Sequence, residues 1–310
     1  MNIEQILSAG IDIGTTTTQL IFSRLTIQNT AGFGRIPQTE ITDKQILYRS
    51  PIYFTPLLDE YTMDGNAIRH ILEQEYLSAG IRPSDISTGA VIITGESVKK
   101  RNAQQVADAL SSIAGSFVVS SAGPDLESIL AGKGSGAAAL SRETGKVVAN
   151  LDIGGGTTNI CLFEAGEMVD CACLDIGGRM IQVQDGLLTG MTEKCRKLLE
   201  RHQLNCHVGA PVSLPLLQSF CSLLADLCAA CVGWIPADRS ACQADLKLLQ
   251  TNHLLSGHVV PEFFTFSGGV ASCMEDPSLQ EVWARYGDIG PLLAAALMQQ
   301  PFFQNGNRKK

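Results

Sequence analysis

The strongest constraint on this chain is a loop that occurs twice. Residues 9–18 read AGIDIGTTTT and residues 150–159 read NLDIGGGTTN. In each copy an apolar run ends at an aspartate, Asp12 or Asp152, followed by glycine, then hydroxyl residues. A second β-branched run follows, so each copy predicts two strands joined by a tight turn. A glycine turn lets backbone N–H groups approach an anion closely, and threonine hydroxyls add donors. A carboxylate beside them can hold Mg²⁺ directly or through its waters. Two such loops facing each other would grip a nucleotide's phosphates from both sides. The phosphate contact therefore lies on a β-hairpin, and the absence of GxxxxGK[ST] removes the Walker-type NTPases.

With 310 residues the chain is long enough for two domains, and 45% hydrophobic against 17% charged content describes a packed globular protein. A net charge of −8 argues against general nucleic-acid binding, which needs a basic face. The first residues lack the charged start and apolar core of a signal peptide. No unbroken apolar run of ~18 residues stands out either, so no membrane span and a cytoplasmic location are expected. In that compartment the ten cysteines are expected as buried thiols. Cys228 and Cys231 form a CxxC, Cys171 and Cys173 a CxC, and Cys221 shares a helix face with the former pair. Core packing is the favoured reading of these. The five histidines form no recognisable ligand set; His202 and His207 near Cys206 lack a metal-binding spacing.

Residues 30–62 read as strands and loops of an insertion. Residues 64–79 have helical periodicity and end at Gly80. Residues 90–94 form a buried strand running into Gly95-Glu96-Ser97, where Thr94 and Glu96 either reach a metal or terminal phosphate or only cap the next helix. A small-residue helix over 123–140 predicts close backbone packing at Gly134 and Gly136. Asp125 and Glu127 before it are candidates for polarising a water. Strands follow over 146–153 and 160–163 and a third over 169–176, closed by Gly177-Gly178. Residues 179–255 read as mostly helical, broken by Pro211 and Pro215. A buried strand, 263–267, ends in a turn where Gly268 and Gly269 leave bare backbone for a flat ring such as adenine or for a ribose. A second small-residue helix spans 288–297, and a polar basic tail, 304–310, shows no packing pattern.

Taken in order, the segments 12–18, 123–140, 152–159, 266–270 and 288–297 resemble the actin-like ATPase superfamily, home also of the heat-shock ATPase chaperones and the sugar and acetate kinases. The strings GIDIGTTTTQLIFSRL, VIITGES, SAGPDLESILAGKGSGAAALS, NLDIGGGTTNICLFEAG and FTFSGGV are similar to the EutA family of reactivating factors for ethanolamine ammonia-lyase. The resemblance implies an α/β, actin-like ATPase fold with two ribonuclease H-like lobes around a nucleotide cleft. These are a first lobe at 1–145 with a β-rich insertion near 30–62, and a second at 146–310 with a helical insertion near 179–255. It implies ATP and Mg²⁺ as cofactors and Asp12 and Asp152 as handlers of the metal–phosphate complex. Gly14, Thr15, Thr16, Gly154, Gly155, Gly156 and Thr157 would cradle phosphate, and Gly268 and Gly269 would contact adenosine. Glu127 would orient water. The implied activity is ATP-dependent release of damaged cobalamin from ethanolamine ammonia-lyase, so that intact adenosylcobalamin rebinds. Ethanolamine ammonia-lyase with its cobalamin is then the partner, with neither nucleic acid nor membrane, and the ethanolamine pathway implies association with a bacterial microcompartment. Family members continue past the second connecting helix, so a late strand or helix of the second lobe is expected to be missing. The rival expectations are a small-molecule kinase of the acetate or sugar kinase type and a nucleotide-binding scaffold without turnover.

Overall fold

The structure, a computed structural model, describes residues 3–14, 17–29, 39–59, 62–93, 102–111, 117–121, 123–235, 238–276, 278, 286–305 and 307–308. The chain forms two compact units, Met1–Gly123 and Pro124–Lys310. The division falls ahead of the expected boundary at 145/146, because the helices that span 124–144 pack on the sheet of the second unit.

In the first unit, β1 (Ile3–Ile13) and β2 (Thr17–Asn29) form the expected hairpin, and β3 (Thr39–Arg49) adds antiparallel to β2. Residues read from sequence as part of an insertion thus supply the edge strand of the main sheet. The short strands β4 (Tyr53–Phe54), β5 (Leu57–Asp59) and β6 (Thr62–Met63) lead to helix α1 (Gly65–Ala79), capped by Asp64 and ending at Gly80 as its periodicity required. Strand β7 (Thr88–Ile93) lies parallel to β1, and α2 (Ala103–Ser111) connects it to β8 (Phe117–Ser121). The sheet order is β3-β2-β1-β7-β8. Ile68, Leu72 and Tyr76 of α1 join Ile11, Ile13, Phe22 and Val91 of the sheet in one core. Glu75, buried on the same helix, accepts hydrogen bonds from the Tyr48 and Tyr53 hydroxyls at 2.7 and 2.6 Å.

The second unit repeats the plan. Helices α3 (Pro124–Gly134) and α4 (Ala137–Thr144) precede the strands β9 (Val148–Ile153), β10 (Thr158–Glu164) and β11 (Glu167–Leu174). A hairpin, β12 (Ile181–Gln184) and β13 (Leu187–Met191), comes next, then α5 (Glu193–Arg201), α6 (Leu214–Cys231) and α7 (Arg239–Leu249). Strand β14 (Phe263–Ser267) runs into α8 (Gly268–Ser272), and α9 (Gly290–Gln299), α10 (Pro301–Asn305) and β15 (Asn307–Arg308) follow. The order β11-β10-β9-β14-β15 matches the first sheet strand for strand, with two antiparallel hairpin pairs and then parallel neighbours. The doubled α/β unit bears out the expected actin-like fold.

Strand alternation divides the second sheet's residues between two faces. Ala149, Leu151, Ile153, Ile160, Leu162, Ala172 and Leu174 pack in the core shared with α6 and α9. Val148, Cys161, Phe163 and Cys171 pack on the opposite face with α3 and α4. The close approach expected at Gly134 or Gly136 occurs instead at Gly132, where a Cβ would stand 2.4 Å from the Phe163 ring. Gly134 and Gly136 face open space, and the break between α3 and α4 lies at Ser135-Gly136.

Three further readings are corrected. The mostly helical stretch 179–255 begins with the β12–β13 hairpin. Pro215 opens α6 rather than breaking a helix, since the first turn has no use for its missing N–H. The tail 304–310, expected to show no packing pattern, carries strand β15, and Phe303 just before it is fully buried, edge-on against Phe264 and Phe266. Strand β15 then pairs with β14, taking the place that β8 holds in the first sheet. Helix α6 has the length and hydropathy to cross a membrane, with 18 residues at mean hydropathy 1.6, although polar residues such as Gln218 and Asp226 interrupt its apolar run. Half of it is buried here, through Leu217, Phe220, Cys221, Leu224 and Cys228 of the core.

Candidate functional site

The two repeated loops fold alike. Gly14 N–H donates to Thr17 O at 2.8 Å, and Gly154 N–H donates to Thr157 O at 2.9 Å. Ile13 pairs with Thr18 and Asp12 with Gln19; Ile153 pairs with Thr158 and Asp152 with Asn159. Thr18 and Thr158 are both fully buried beneath their turns. Thr18 meets the Thr55 hydroxyl, which donates to Gly14 O, while Thr158 donates to Ile176 O. Thr15 and Thr16, and likewise Thr94 and Glu96, lie outside the described residues.

The two aspartates differ in surroundings. Asp12 is exposed, and its parallel neighbour across to β7 is Ile92. Asp152 is half-buried and lies opposite Ser267 on β14. The Ser267 hydroxyl donates to Asp152 Oδ1 at 2.6 Å and accepts from Asn150 Nδ2 at 3.1 Å. Thr265 Oγ1 in turn donates to Asn150 Oδ1 at 2.9 Å. A relay of donors thus runs from Thr265 through Asn150 and Ser267 to one carboxylate oxygen, each bond polarising the next. Burial pushes the Asp152 carboxyl above the usual carboxylate range, and the Ser267 bond opposes that shift.

Beside Asp152 on the same face stands Asn159, 2% exposed, whose Oδ1 has no hydrogen-bond partner among the described residues. An orphaned amide oxygen next to a desolvated carboxylate is a donor set of hard oxygens, which suits a hydrated Mg²⁺. Cys173 continues the row on β11, paired with Asn159. Burial first, then nearby charges including Glu127, pushes its thiol up to about 12; α3, which carries Glu127 in its first turn, packs on β10 and β11. Asp125, the other candidate of that turn, is engaged elsewhere, by Asn252 and His253.

The Gly154–Thr157 turn is backed by a second glycine turn. A Cβ on Gly177 would stand 2.4 Å from Gly155 O and 2.7 Å from Gly156 N, so only glycine admits this approach. Gly178 N–H donates to Gly154 O and Arg179 N–H to Gly155 O, at 3.0 and 2.7 Å, which ties the loop down from below. The half-buried Arg179 guanidinium lies 3.8 Å from Asp288, which also accepts from Gly290 N–H. Gly268 has a φ of +87°, and a Cβ there would lie 2.5 Å from Ile153 O. Gly269 is exposed, with open space where its side chain would be. The structure therefore brings Asp152, Gly154, Gly155, Gly156, Thr157 and Gly268 together, and sets Gly269 next to them. Sequence reading missed Asn150, Asn159, Ser267 and Arg179 as parts of the site. Only the polar residues interrupting two otherwise apolar strands, at 150 and 159, hinted at them.

The family model of the ethanolamine utilisation protein EutA matches residues 4–310. The chain belongs to the EutA family. The ethanolamine ammonia-lyase reactivase EutA of Salmonella typhimurium (strain LT2) is 38% identical to it over 308 residues, 99% of this chain and 64% of that protein. EutA of Escherichia coli (strain K12) matches to the same extent. The chain thus spans about two thirds, 64%, of the length of the curated EutA proteins it matches. Among solved structures, a PilM–PilN type IV pilus biogenesis complex aligns at TM-score 0.49 and 12% identity, over 95% of this chain and 98% of that one. The Ppx/GppA family member of Aquifex aeolicus aligns at 0.45 and 13%, over 98% and 92%. At those scores they lend no residue role to this EutA chain.

Proposed function

We propose that this chain binds ATP with Mg²⁺ and acts as a reactivase of ethanolamine ammonia-lyase, expelling damaged cobalamin so that intact adenosylcobalamin can rebind. The observation that carries the reading is the 38% identity to reactivases across 99% of the chain. The cluster of oxygen donors around Asp152, built within the second unit, supports its nucleotide component. Asp152 and Asn159 would hold the metal, directly or through its waters, and Ser267 keeps the carboxylate oriented. The backbone N–H groups of Gly154, Gly155, Gly156 and Thr157 would receive phosphate oxygens, with Arg179 adding positive charge behind the loop. Gly268 and Gly269 would lie against adenosine. Asp12, Gly14, Thr15 and Thr16 would serve phosphate and metal in the first unit, and Glu127 would orient a water. Mg²⁺, when bound, supplies charge neutralisation for the phosphate under attack.

The test is to mix the full chain with cyanocobalamin-inactivated ethanolamine ammonia-lyase, with and without ATP and Mg²⁺. Both cobalamin release and phosphate production are measured. ATP-dependent release is the expected result. Hydrolysis without release, or no effect of nucleotide at all, overturns the reactivase reading, the latter outcome leaving a scaffold that works by contact alone.

A further inference from the structure

Cys171 and His253, which the proposed function does not use, come together with Asp125. Asp125 in the first turn of α3, Cys171 on the edge strand β11 and His253 in the loop after α7 each direct one ligand atom to a common point. These three atoms lie within 4.8 Å of one another, and His253 Nε2 is 3.2 Å from Asp125 Oδ1. We propose that Asp125, Cys171 and His253 form a binding site for a divalent transition-metal ion of the Zn²⁺ class.

The chemistry of the three donors points to that class. A thiolate and an imidazole select Zn²⁺, Co²⁺ or Ni²⁺ over Mg²⁺ and Ca²⁺, and a carboxylate completes a three-ligand set common at open zinc sites. Metal–ligand bonds of about 2.0–2.3 Å put tetrahedral ligand atoms roughly 3.3–3.8 Å apart, so the cluster needs to contract by only about 1 Å. Cys171 is 7% exposed, while the Asp125 and His253 side chains are about half exposed. The site therefore has a buried sulfur floor and an open side where water takes the fourth position.

Supporting contacts orient each ligand, as functional metal sites require. With an ion on Nε2 the ring proton would sit on Nδ1, which has Leu254 O at 3.4 Å as an acceptor. Asn252 Nδ2 donates to Asp125 Oδ1 at 2.7 Å, and Asn252 Oδ1 accepts from His253 N–H at 2.8 Å. The loop is fastened to the strand independently of any ion: Ser256 donates to Asp170 Oδ2 through its backbone N–H at 2.8 Å and its hydroxyl at 2.7 Å, and Cys171 N–H donates to Asp170 Oδ1. The ligands are thus held near one another before metal arrives. An ion there would pin α3, the sheet edge and the loop together.

The decisive measurement is titration of the reduced, metal-free full chain with Co²⁺, followed by absorption and calorimetry. One equivalent should bind with a thiolate-to-cobalt charge-transfer band, and Zn²⁺ should displace it. Cys171→Ser should remove the band, and His253→Gln should weaken binding by at least ~10-fold. His253→Gln changes a half-exposed loop side chain, so it reports on the site even if Cys171→Ser folds poorly; circular dichroism checks both. Absence of a charge-transfer band, its survival in Cys171→Ser, or unchanged affinity in His253→Gln would each overturn the assignment.

Discussion

Two copies of one turn carry aspartates of different character, and Asp152 is the one the fold has desolvated. An acid whose folded pKa is raised binds its proton more readily in the native chain than in the unfolded one. Its stabilising contribution is therefore present at low pH and lost as pH rises through the folded value. Ionising the Asp152 carboxyl is therefore costly in the folded chain, a cost the Ser267 hydrogen bond only partly offsets. The melting temperature of Asp152→Asn should accordingly rise relative to that of the unmodified chain as pH is raised through the folded value. The same variant should abolish Mg²⁺-dependent ATP hydrolysis, measured as phosphate release. Retained turnover would remove Asp152 from the proposed site, and a melting temperature lowered at every pH would show that burying its charge carries no cost. In the unmodified chain, Mg²⁺–nucleotide affinity should begin to fall, as pH is lowered, at a higher pH than an ordinary carboxylate would set.

Among the elements, the two hairpins were legible because a strand–glycine–strand pattern is a local signal, read within about ten residues. Helix α1 was legible for the same reason, with apolar residues on one face, Asp64 at its start and Gly80 at its end. The segment 301–308 was not, since its two phenylalanines have meaning only against Phe264 and Phe266, brought near by sheet pairing. Nor could periodicity reveal that Thr39–Arg49 is an edge strand of the main sheet, because its exposed residues show no alternation with a buried face. The aromatic cluster gives a prediction at this level. Phe303→Ala empties a fully buried site and should cost about 3–5 kcal/mol in urea denaturation. A loss under 1 kcal/mol would mean that α10 and β15 are not docked as described.

For the whole molecule, each unit has its own core: one cluster in the first, and two on opposite faces of the sheet in the second. Chains with separate cores need not unfold in one step. Calorimetry should resolve two transitions, and both Asp152→Asn and Phe303→Ala should move only the one belonging to residues 124–310. A single transition shifted as a whole by either substitution would show that the two units unfold together.

The sequence by itself determined the paired turns, the aspartate at the end of each first strand, the α/β alternation and the family, since all of these reside in short contiguous strings. Tertiary structure alone decided which residues stand beside those turns. Ser267 meets Asp152 because β14 inserts parallel to β9, and Asp125, Cys171 and His253 meet because a helix start, an edge strand and a distant loop share one corner of a sheet. Such neighbours are chosen by strand order and by which face of the sheet each helix covers. Those choices are made by long-range burial of apolar surface, which leaves no local pattern in the chain.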